Sequence, residues 1–158
     1  MKKYLPLVIS IIICQLAGIV GAVFTTPAIP TWYASLNKPF FNPPAWVFGP
    51  VWTLLYTLMG VAAYLVWKKS FDKLRIKPKK ALKLFAVQLA LNSLWSIIFF
   101  GLKIPFLAFL EILGLGGFIV LTMVEFRKIS PRAFWLLLPY LLWVSFASLL
   151  NLAIVVLN

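Results

Sequence analysis

Four long intervals of this sequence contain no charged residue, and this pattern restricts the fold more than any other feature. They cover residues 4–37, 39–67, 84–102 and 133–158, and the interval 104–124 contains only Glu111. Each is long enough for a membrane-spanning helix, because about 20 apolar residues cross the hydrocarbon core of a bilayer. Charged residues make up 11% of the chain, whereas soluble domains carry about 25%. An unusually apolar soluble helical protein is therefore the weaker alternative.

We predict an all-α integral membrane protein, a five-transmembrane-helix bundle with a long aromatic loop between its first two helices. It forms a single domain over residues 1–158, with helices at about 5–25, 44–67, 81–101, 105–126 and 133–156. Lys2 and Lys3 before the first apolar run could instead open a cleaved signal peptide. That run is longer than a signal core and has no convincing small-x-small cleavage site. We therefore expect a first helix, which contains Cys14, the only cysteine.

Positive charges are distributed unevenly between the two predicted sides of the membrane. Five spans place the N-terminus, the 68–80 loop and the 127–132 loop on one side, with thirteen of the 15 Lys and Arg residues there or close by. The other side has only Lys38 and Lys103. By the positive-inside rule, the N-terminus is predicted inside and the C-terminus outside. The basic run KKSFDKLRIKPKK is expected to contact anionic lipids rather than nucleic acid.

Proline and glycine positions predict where helices begin and bend. Asn42 followed by Pro43 fits an N-cap with proline in the first helical turn. Gly49–Pro50 lies inside the predicted second helix and Pro139 inside the fifth, and an interior proline kinks a helix. Lys103–Pro105 predicts a tight turn between the third and fourth helices.

Polar and aromatic side chains converge at one depth in the predicted bilayer. Residues three or four apart share a helix face, and three helices carry such sets. They are Gln88, Asn92, Trp95 and Ser96 on the third helix, Trp143, Ala147 and Asn151 on the fifth, and Trp52 and Tyr56 on the second. At 1.5 Å per residue, Trp52, Asn92 and Ala147 all lie roughly 12–13 Å from the outer end. With Trp32 and Tyr33 above them, the sequence predicts a pocket with an aromatic lid.

Each of these residues also has a simpler interpretation. Trp and Tyr near helix ends commonly form interfacial belts, which we favour for Trp67 and Trp135 and which is an equal alternative for Trp32 and Tyr33. The deeper tryptophans could pack in the core, and the asparagines could bond helix to helix. Their shared depth is what favours the pocket.

Glu111 is the only acid deep in a predicted span. An ionised carboxylate is costly there, so it is expected to be protonated or paired. Lys103 lies on the same side, and Gln88 or Asn92 could donate from the third helix. A proton relay needs several such groups, so we favour a structural hydrogen bond.

Small residues that allow helices to approach closely are present on three helices. They are Ala17, Gly18, Gly21 and Ala22 on the first, Ala86 and Ala90 on the third, and Gly114, Gly116 and Gly117 on the fourth. They could serve packing within the monomer or in a homodimer, and the sequence leaves both open.

Three segments in order form a specific set: WYASLNKPFFNPPAWVFGPVWTLLYTLMGVAAYLVW (32–67), LNSLWSIIFFG (91–101) and LLPYLLWVSFASLLN (137–151). Together they resemble the translocator protein family, also called tryptophan-rich sensory proteins or peripheral-type benzodiazepine receptors, over essentially the whole chain. The resemblance implies a five-helix transmembrane bundle, often dimeric, whose pocket opens toward the first loop. It also implies binding of porphyrins such as protoporphyrin IX or heme, and of isoquinoline-carboxamide and benzodiazepine drugs.

The resemblance also implies roles for particular residues. Trp52 and Trp143 match the tryptophan pair implicated in light-dependent porphyrin breakdown, so they would be catalytic only if that reaction occurs, with the reactivity residing largely in the ligand. The segment Trp32–Phe41, stiffened by Pro39, is the expected lid. With Trp95 added from the spacing argument, the expected ligand-binding residues are Tyr33, Trp52, Asn92, Trp95, Trp143 and Ala147.

We therefore expect an integral membrane receptor for porphyrins and related flat hydrophobic ligands that regulates tetrapyrrole levels. The alternatives are a light- and oxygen-dependent porphyrin-degrading enzyme and a transporter of porphyrins or sterol-like molecules. No metal site, no required cofactor and no nucleic acid are expected, while membrane lipids and a second copy of the chain are. The expected location is a prokaryotic cell membrane.

The sequence departs from the family in one place. Animal members carry a sterol-recognition motif near the end of the fifth helix, which requires a tyrosine followed by a basic residue. No tyrosine or basic residue follows Tyr140, so sterol binding there is not expected. The formal match at Val61–Tyr64–Lys68 is a weak pattern and is interpreted as an interfacial tyrosine and lysine.

Overall fold

The computed structural model describes residues 4–69 and 78–158, and this part of the chain contains five long helices. They are α1 (Leu5–Ala28), α2 (Ala45–Lys68), α3 (Lys79–Ser96), α4 (Pro105–Ile129) and α5 (Pro131–Leu157). Each is long and apolar enough to cross a membrane, which confirms the predicted all-α bundle. The protein is an integral, multi-pass membrane protein.

The helices pack in a closed ring whose order differs from their order in the chain. α1 contacts α2 and α3, α4 contacts α3 and α5, and α2 contacts α5. The order around the bundle is therefore α1, α2, α5, α4, α3. α1 is the most peripheral member, because only Cys14, Gly21 and Ala28 are buried along its length.

The first helix extends further than predicted. Instead of ending near residue 25, α1 runs to Ala28 and continues as a π-helical turn, Ile29–Tyr33. Placing Trp32 and Tyr33 in the loop was therefore wrong. The threonine hydroxyls support the extension, since Thr31 donates to the Pro27 carbonyl over 2.9 Å. The helical residues end at Ser35. The Lys38 ammonium group then donates to the carbonyl oxygens of Tyr33 and Leu36 at 2.8 and 2.9 Å.

The start of the second helix also differs from the prediction. α2 begins at Ala45, and its N-cap, Pro44, makes no side-chain cap bond. Asn42 is therefore not the N-cap. Its side chain accepts a 2.7 Å hydrogen bond from the Tyr33 hydroxyl and donates to the Pro43 carbonyl at 3.1 Å. The bond to Tyr33, in the π-helical turn after α1, thus occupies the side-chain oxygen that would have capped α2.

The connections around α4 agree with the sequence. A second π-helical turn, Ile97–Gly101, follows α3. Lys103 then adopts the left-handed backbone conformation with φ of 60°, which confirms the tight turn before Pro105. Between α4 and α5, Ser130 caps α5 by accepting a 3.4 Å hydrogen bond from the Ala133 amide.

Charged side chains pair at the end of the bundle where α3 begins and α4 ends. Glu125 accepts from Lys80 and from Lys128, each over 2.9 Å. Most of the KKSFDKLRIKPKK run, on which the lipid-contact prediction was made, lies in residues 70–77 outside the described residues, as do Lys2 and Lys3. The orientation of the termini across the membrane stays a prediction.

Glycines distinguish tightly packed faces from open ones. The backbone of Gly60 lies against Ile11, where an added Cβ would be only 2.6 Å from the Ile11 Cα, and Gly18 lies against the Tyr56 ring. An added Cβ at Gly114 or Gly117 would meet nothing within 4 Å. Gly18 and Gly21 of α1 therefore serve packing within the chain, while Gly114 and Gly117 of α4 lie on an open face.

Candidate functional site

A cavity of about 450 Å³ lies in the half of the bundle nearer the α1–α2 loop, and all five helices contribute to its wall. The sequence-predicted ligand residues all line it. They are Tyr33, Trp52, Asn92, Trp95, Trp143 and Ala147. The structure thus brings together residues separated by more than a hundred positions in the chain.

The deep part of the cavity is a hydrogen-bonded cluster of rings and one amide. The Trp52 ring stacks on Tyr56, with centroids 5.4 Å apart and planes at 29°. The Tyr56 hydroxyl donates to Oδ1 of Asn92, and Nδ2 of Asn92 donates to the Tyr140 hydroxyl at 3.1 Å. The Asn92 side chain is thus hydrogen-bonded to Tyr56 of α2 and Tyr140 of α5. It therefore also joins helices, which was its alternative interpretation from the sequence.

Trp95 presents its ring rather than its N–H group to the cavity. Its indole nitrogen donates a 3.1 Å hydrogen bond to Oδ1 of Asn151. Its ring stacks on Phe99, with centroids 5.1 Å apart and planes at 21°. The N–H group is thereby engaged, and the ring is available as an apolar surface.

Trp143 is different, because its indole nitrogen is buried and has no hydrogen-bond partner among the described residues. The ring is held edge-on by Phe48, 6.1 Å between centroids, and lies 5.6 Å from Phe146. A buried donor without a partner is costly. Because that nitrogen has almost no accessible surface, Trp143 lines the cavity through other atoms, and its N–H group does not face the open space.

The predicted lid is arranged differently from the expectation. Among the described residues that line the cavity, neither Trp32 nor Pro39 is present. Trp32 packs edge-on against Phe99 at 5.5 Å, and the Pro39 carbonyl accepts from the Asn42 amide in a 3.0 Å turn. Of the aromatic pair that the sequence placed in the loop, only Tyr33 reaches the cavity.

The hydrogen bond predicted for Glu111 is absent. Both carboxyl oxygens of Glu111 and both polar atoms of Gln88 are buried without a partner among the described residues. Asn92, the other proposed partner, bonds the two tyrosines instead. The prediction failed because Tyr56 on α2 and Tyr140 on α5 occupy the Asn92 amide. Residue spacing along α3 does not reveal such partners on other helices.

Several cavity and support residues were not singled out from the sequence. Trp46 and Gly49 line the cavity, and Asn158 bonds the loop through Asn37. A tryptophan six residues before Trp52 in the same predicted helix was a usable signal, whereas the polar side chain of Asn158 was not. Within residues 4–69 and 78–158, no group of three His, Cys, Asp or Glu side chains could hold a metal ion.

Comparison with known proteins agrees with this architecture. The sequence model of the TspO/MBR family matches residues 10–157. The tryptophan-rich protein TspO of Archaeoglobus fulgidus is 46% identical over 155 residues, which cover 98% of this chain and 97% of the relative. The translocator protein of Bos taurus is 39% identical, covering 94% and 87%. The tryptophan-rich sensory protein of Cereibacter sphaeroides is 39% identical, covering 87% and 85%. The chain therefore belongs to the TspO/MBR family.

Proposed function

We propose that the cavity binds porphyrins such as protoporphyrin IX and related flat hydrophobic molecules, so that the protein is a membrane receptor that regulates tetrapyrrole levels. The observation that carries this proposal is that tryptophans from three helices, Trp52, Trp95 and Trp143, line one cavity of about 450 Å³. This volume is within the roughly 300–1,000 Å³ of ligand pockets in proteins.

The chemistry of the wall suits a flat aromatic ligand. Indole and phenol rings pack well against aromatic surfaces in offset or edge-on geometry. Trp95 and Trp52 are fixed by stacking on Phe99 and Tyr56, so they need little reordering when a ligand binds.

Titration of the purified protein in lipid nanodiscs with protoporphyrin IX, followed by tryptophan fluorescence, tests the proposal. We expect saturable quenching. Ala147→Leu, which narrows the cavity, and Trp143→Phe, which replaces an indole ring of its wall by a smaller ring, should weaken binding by about tenfold, the equivalent of about 1.4 kcal/mol.

Trp135→Phe is the matched control, because Trp135 is 63% exposed near the start of α5 and does not line the cavity. Its affinity should equal that of the wild type. Saturable quenching that persists unchanged in both cavity variants would contradict the proposal.

A second candidate function is light- and oxygen-dependent porphyrin breakdown, which the placement of Trp52 and Trp143 on the same cavity favours. A photoexcited porphyrin can accept an electron from a neighbouring indole, and the reactivity would belong mainly to the ligand. Absorbance spectra of the complex in light and in the dark, with oxygen present, test it. Equal porphyrin loss with the wild type and with a Trp52→Phe, Trp143→Phe double variant would exclude a role for the pair.

A further inference from the structure

The cavity wall is exposed on one side only. Every lining residue contributed by α3, α4, α5 and the two π-helical turns is buried or half-buried. The exposed lining residues all belong to α1 and α2. They are Ile19, Ala22 and Thr26 on α1, and Ala45, Trp46, Gly49 and Thr53 on α2. The cavity therefore reaches the surface of the bundle between these two helices.

Side-chain hydrogen bonds join α1 to α2 at Ser10 and Gln15, and among the described residues none joins these two helices nearer the loop. Ser10 donates to the Gly60 carbonyl at 2.8 Å, and Nε2 of Gln15 donates to the Thr53 carbonyl at 3.0 Å. The same antiparallel register, continued toward the loop, places Gly49 at the level of Ala22. There an added Cβ on Gly49 would meet nothing within 4 Å. This unfilled space beside Gly49 lies at the edge of the cavity, which Gly49 also lines.

The loop end of the bundle is held shut by hydrogen bonds. The Asn37 amide donates to Oδ1 of Asn158 at 2.9 Å, and Nδ2 of Asn158 donates back to the Asn37 carbonyl at 3.0 Å. The Tyr33 hydroxyl bonds Asn42 at 2.7 Å. Among residues 34–44, all of which the structure describes, none lines the cavity. A ligand arriving from water would have to break these bonds.

We propose that ligands enter and leave the cavity sideways from the lipid bilayer, through a side opening between α1 and α2 framed by Ile19, Ala22, Trp46 and Gly49. This inference rests on the proposed function. The ligand class is a flat apolar molecule already dissolved in the membrane. Trp46, which lines the cavity and is 75% exposed, forms the rim, and Gly49 leaves the gap wide because it has no side chain.

The first test measures how a side chain in the gap changes the rates of binding. Stopped-flow tryptophan quenching by protoporphyrin IX in nanodiscs would compare wild type, Gly49→Ala and Gly49→Leu. We expect both the association and dissociation rate constants of Gly49→Leu to fall by about tenfold or more. Kd should change by less than about threefold, and Gly49→Ala should lie between wild type and Gly49→Leu.

Two variants separate this route from the alternatives. Gly114→Leu is the matched control, because Gly114 is also helical, exposed and without neighbours within 4 Å, but is not on the cavity wall. It should leave both rates unchanged. Asn158→Ala opens the loop end and should also leave them unchanged. Wild-type rates in Gly49→Leu, or faster association in Asn158→Ala, would overturn the proposal.

A second test needs no porphyrin, so it separates failure of this route from failure of the proposed function. Ala147→Cys, in a Cys14→Ala background that leaves one thiol, would be labelled with membrane-dissolved N-pyrenylmaleimide or with a charged sulfonate methanethiosulfonate. We expect the apolar reagent to react faster, and Gly49→Leu to slow it by about fivefold or more. Faster labelling by the charged reagent, or no effect of Gly49→Leu, would overturn the side opening. A wild type without saturable porphyrin quenching would contradict only the proposed function.

Discussion

The indole nitrogen of Trp95 on α3 donates a 3.1 Å hydrogen bond to the side-chain carbonyl of Asn151 on α5. Asn151 in turn donates to the Pro105 carbonyl at the start of α4, at 2.8 Å. One amide thus links three helices and sets the orientation of a ring in the cavity wall. No water is available in the hydrocarbon region to replace such bonds.

Replacing Asn151 should therefore lower both stability and ligand affinity. Asn151→Leu leaves the Trp95 N–H and the Pro105 carbonyl without their partner, and we expect the free energy of unfolding to fall by about 1–2 kcal/mol. Unfolding in detergent micelles, followed by circular dichroism, measures it. Ser145→Ala is the control, since the Ser145 hydroxyl is exposed and bonds only within α5. Equal stability of Asn151→Leu and Ser145→Ala would contradict the prediction.

A methyl group at residue 60 should separate α1 from α2. In Gly60→Ala the new carbon would be 2.6 Å from the Cα and 2.9 Å from the amide nitrogen of Ile11. Because backbone atoms cannot move aside singly, we expect a loss of about 1–3 kcal/mol of stability.

Gly114→Ala provides the comparison, because its Cβ has free space and alanine favours a helix by about 0.8–1.0 kcal/mol relative to glycine. It should be neutral or stabilising in the same unfolding assay. If Gly60→Ala were more stable than Gly114→Ala, α1 and α2 would not pack closely at Gly60.

Removing the unpaired polar groups between α3 and α4 should not harm the protein. Glu111→Leu replaces a carboxyl whose two oxygens are buried and have no partner in residues 4–69 and 78–158, and burial of such a group costs roughly 1–3 kcal/mol. We expect an equal or higher midpoint of thermal unfolding, and a further gain when Gln88→Leu is added. A clear loss of stability in Glu111→Leu would show that the carboxyl has a partner in the membrane.

Loss of the last side chain should loosen the loop without loosening the helices. Asn158→Ala removes both hydrogen bonds between the Asn158 side chain and the Asn37 backbone. Hydrogen exchange in nanodiscs should become faster for amides in residues 34–44 and stay unchanged in α3 and α4. Unchanged exchange in the loop would mean that the remaining bonds hold it, which are those of Lys38, the Tyr33–Asn42 bond and the bond from Asn37 Nδ2 to the Leu157 carbonyl.

The sequence could predict the helices and which residues share a level, because both follow from local regularities. Charge-free length predicts the spans, and residue spacing predicts the common depth of Trp52, Asn92 and Ala147. The structure places these three residues on one cavity. Neither property requires knowledge of which helices are neighbours.

The features that were missed depend on contacts between distant segments. Asn42 has the sequence of an N-cap, yet Tyr33 takes its side chain. The side opening depends on how α1 and α2 pack against each other. Residue spacing within either helix does not reveal that packing. Asn158 has a role only because the loop passes over the end of α5.

The two π-helical turns have a consequence for the end of the cavity nearest the loop. Rings from these turns contact each other, with Tyr33 and Phe100 centroids 5.7 Å apart. A π turn holds one more residue than an α turn, so deleting one residue from either would rotate one flanking segment relative to the other by about 100°. Tyr33 or Phe100 would then leave its present position. The geometry of this end of the cavity thus depends on residue count as well as residue type, and a single deletion would reshape it as much as the loss of an aromatic ring.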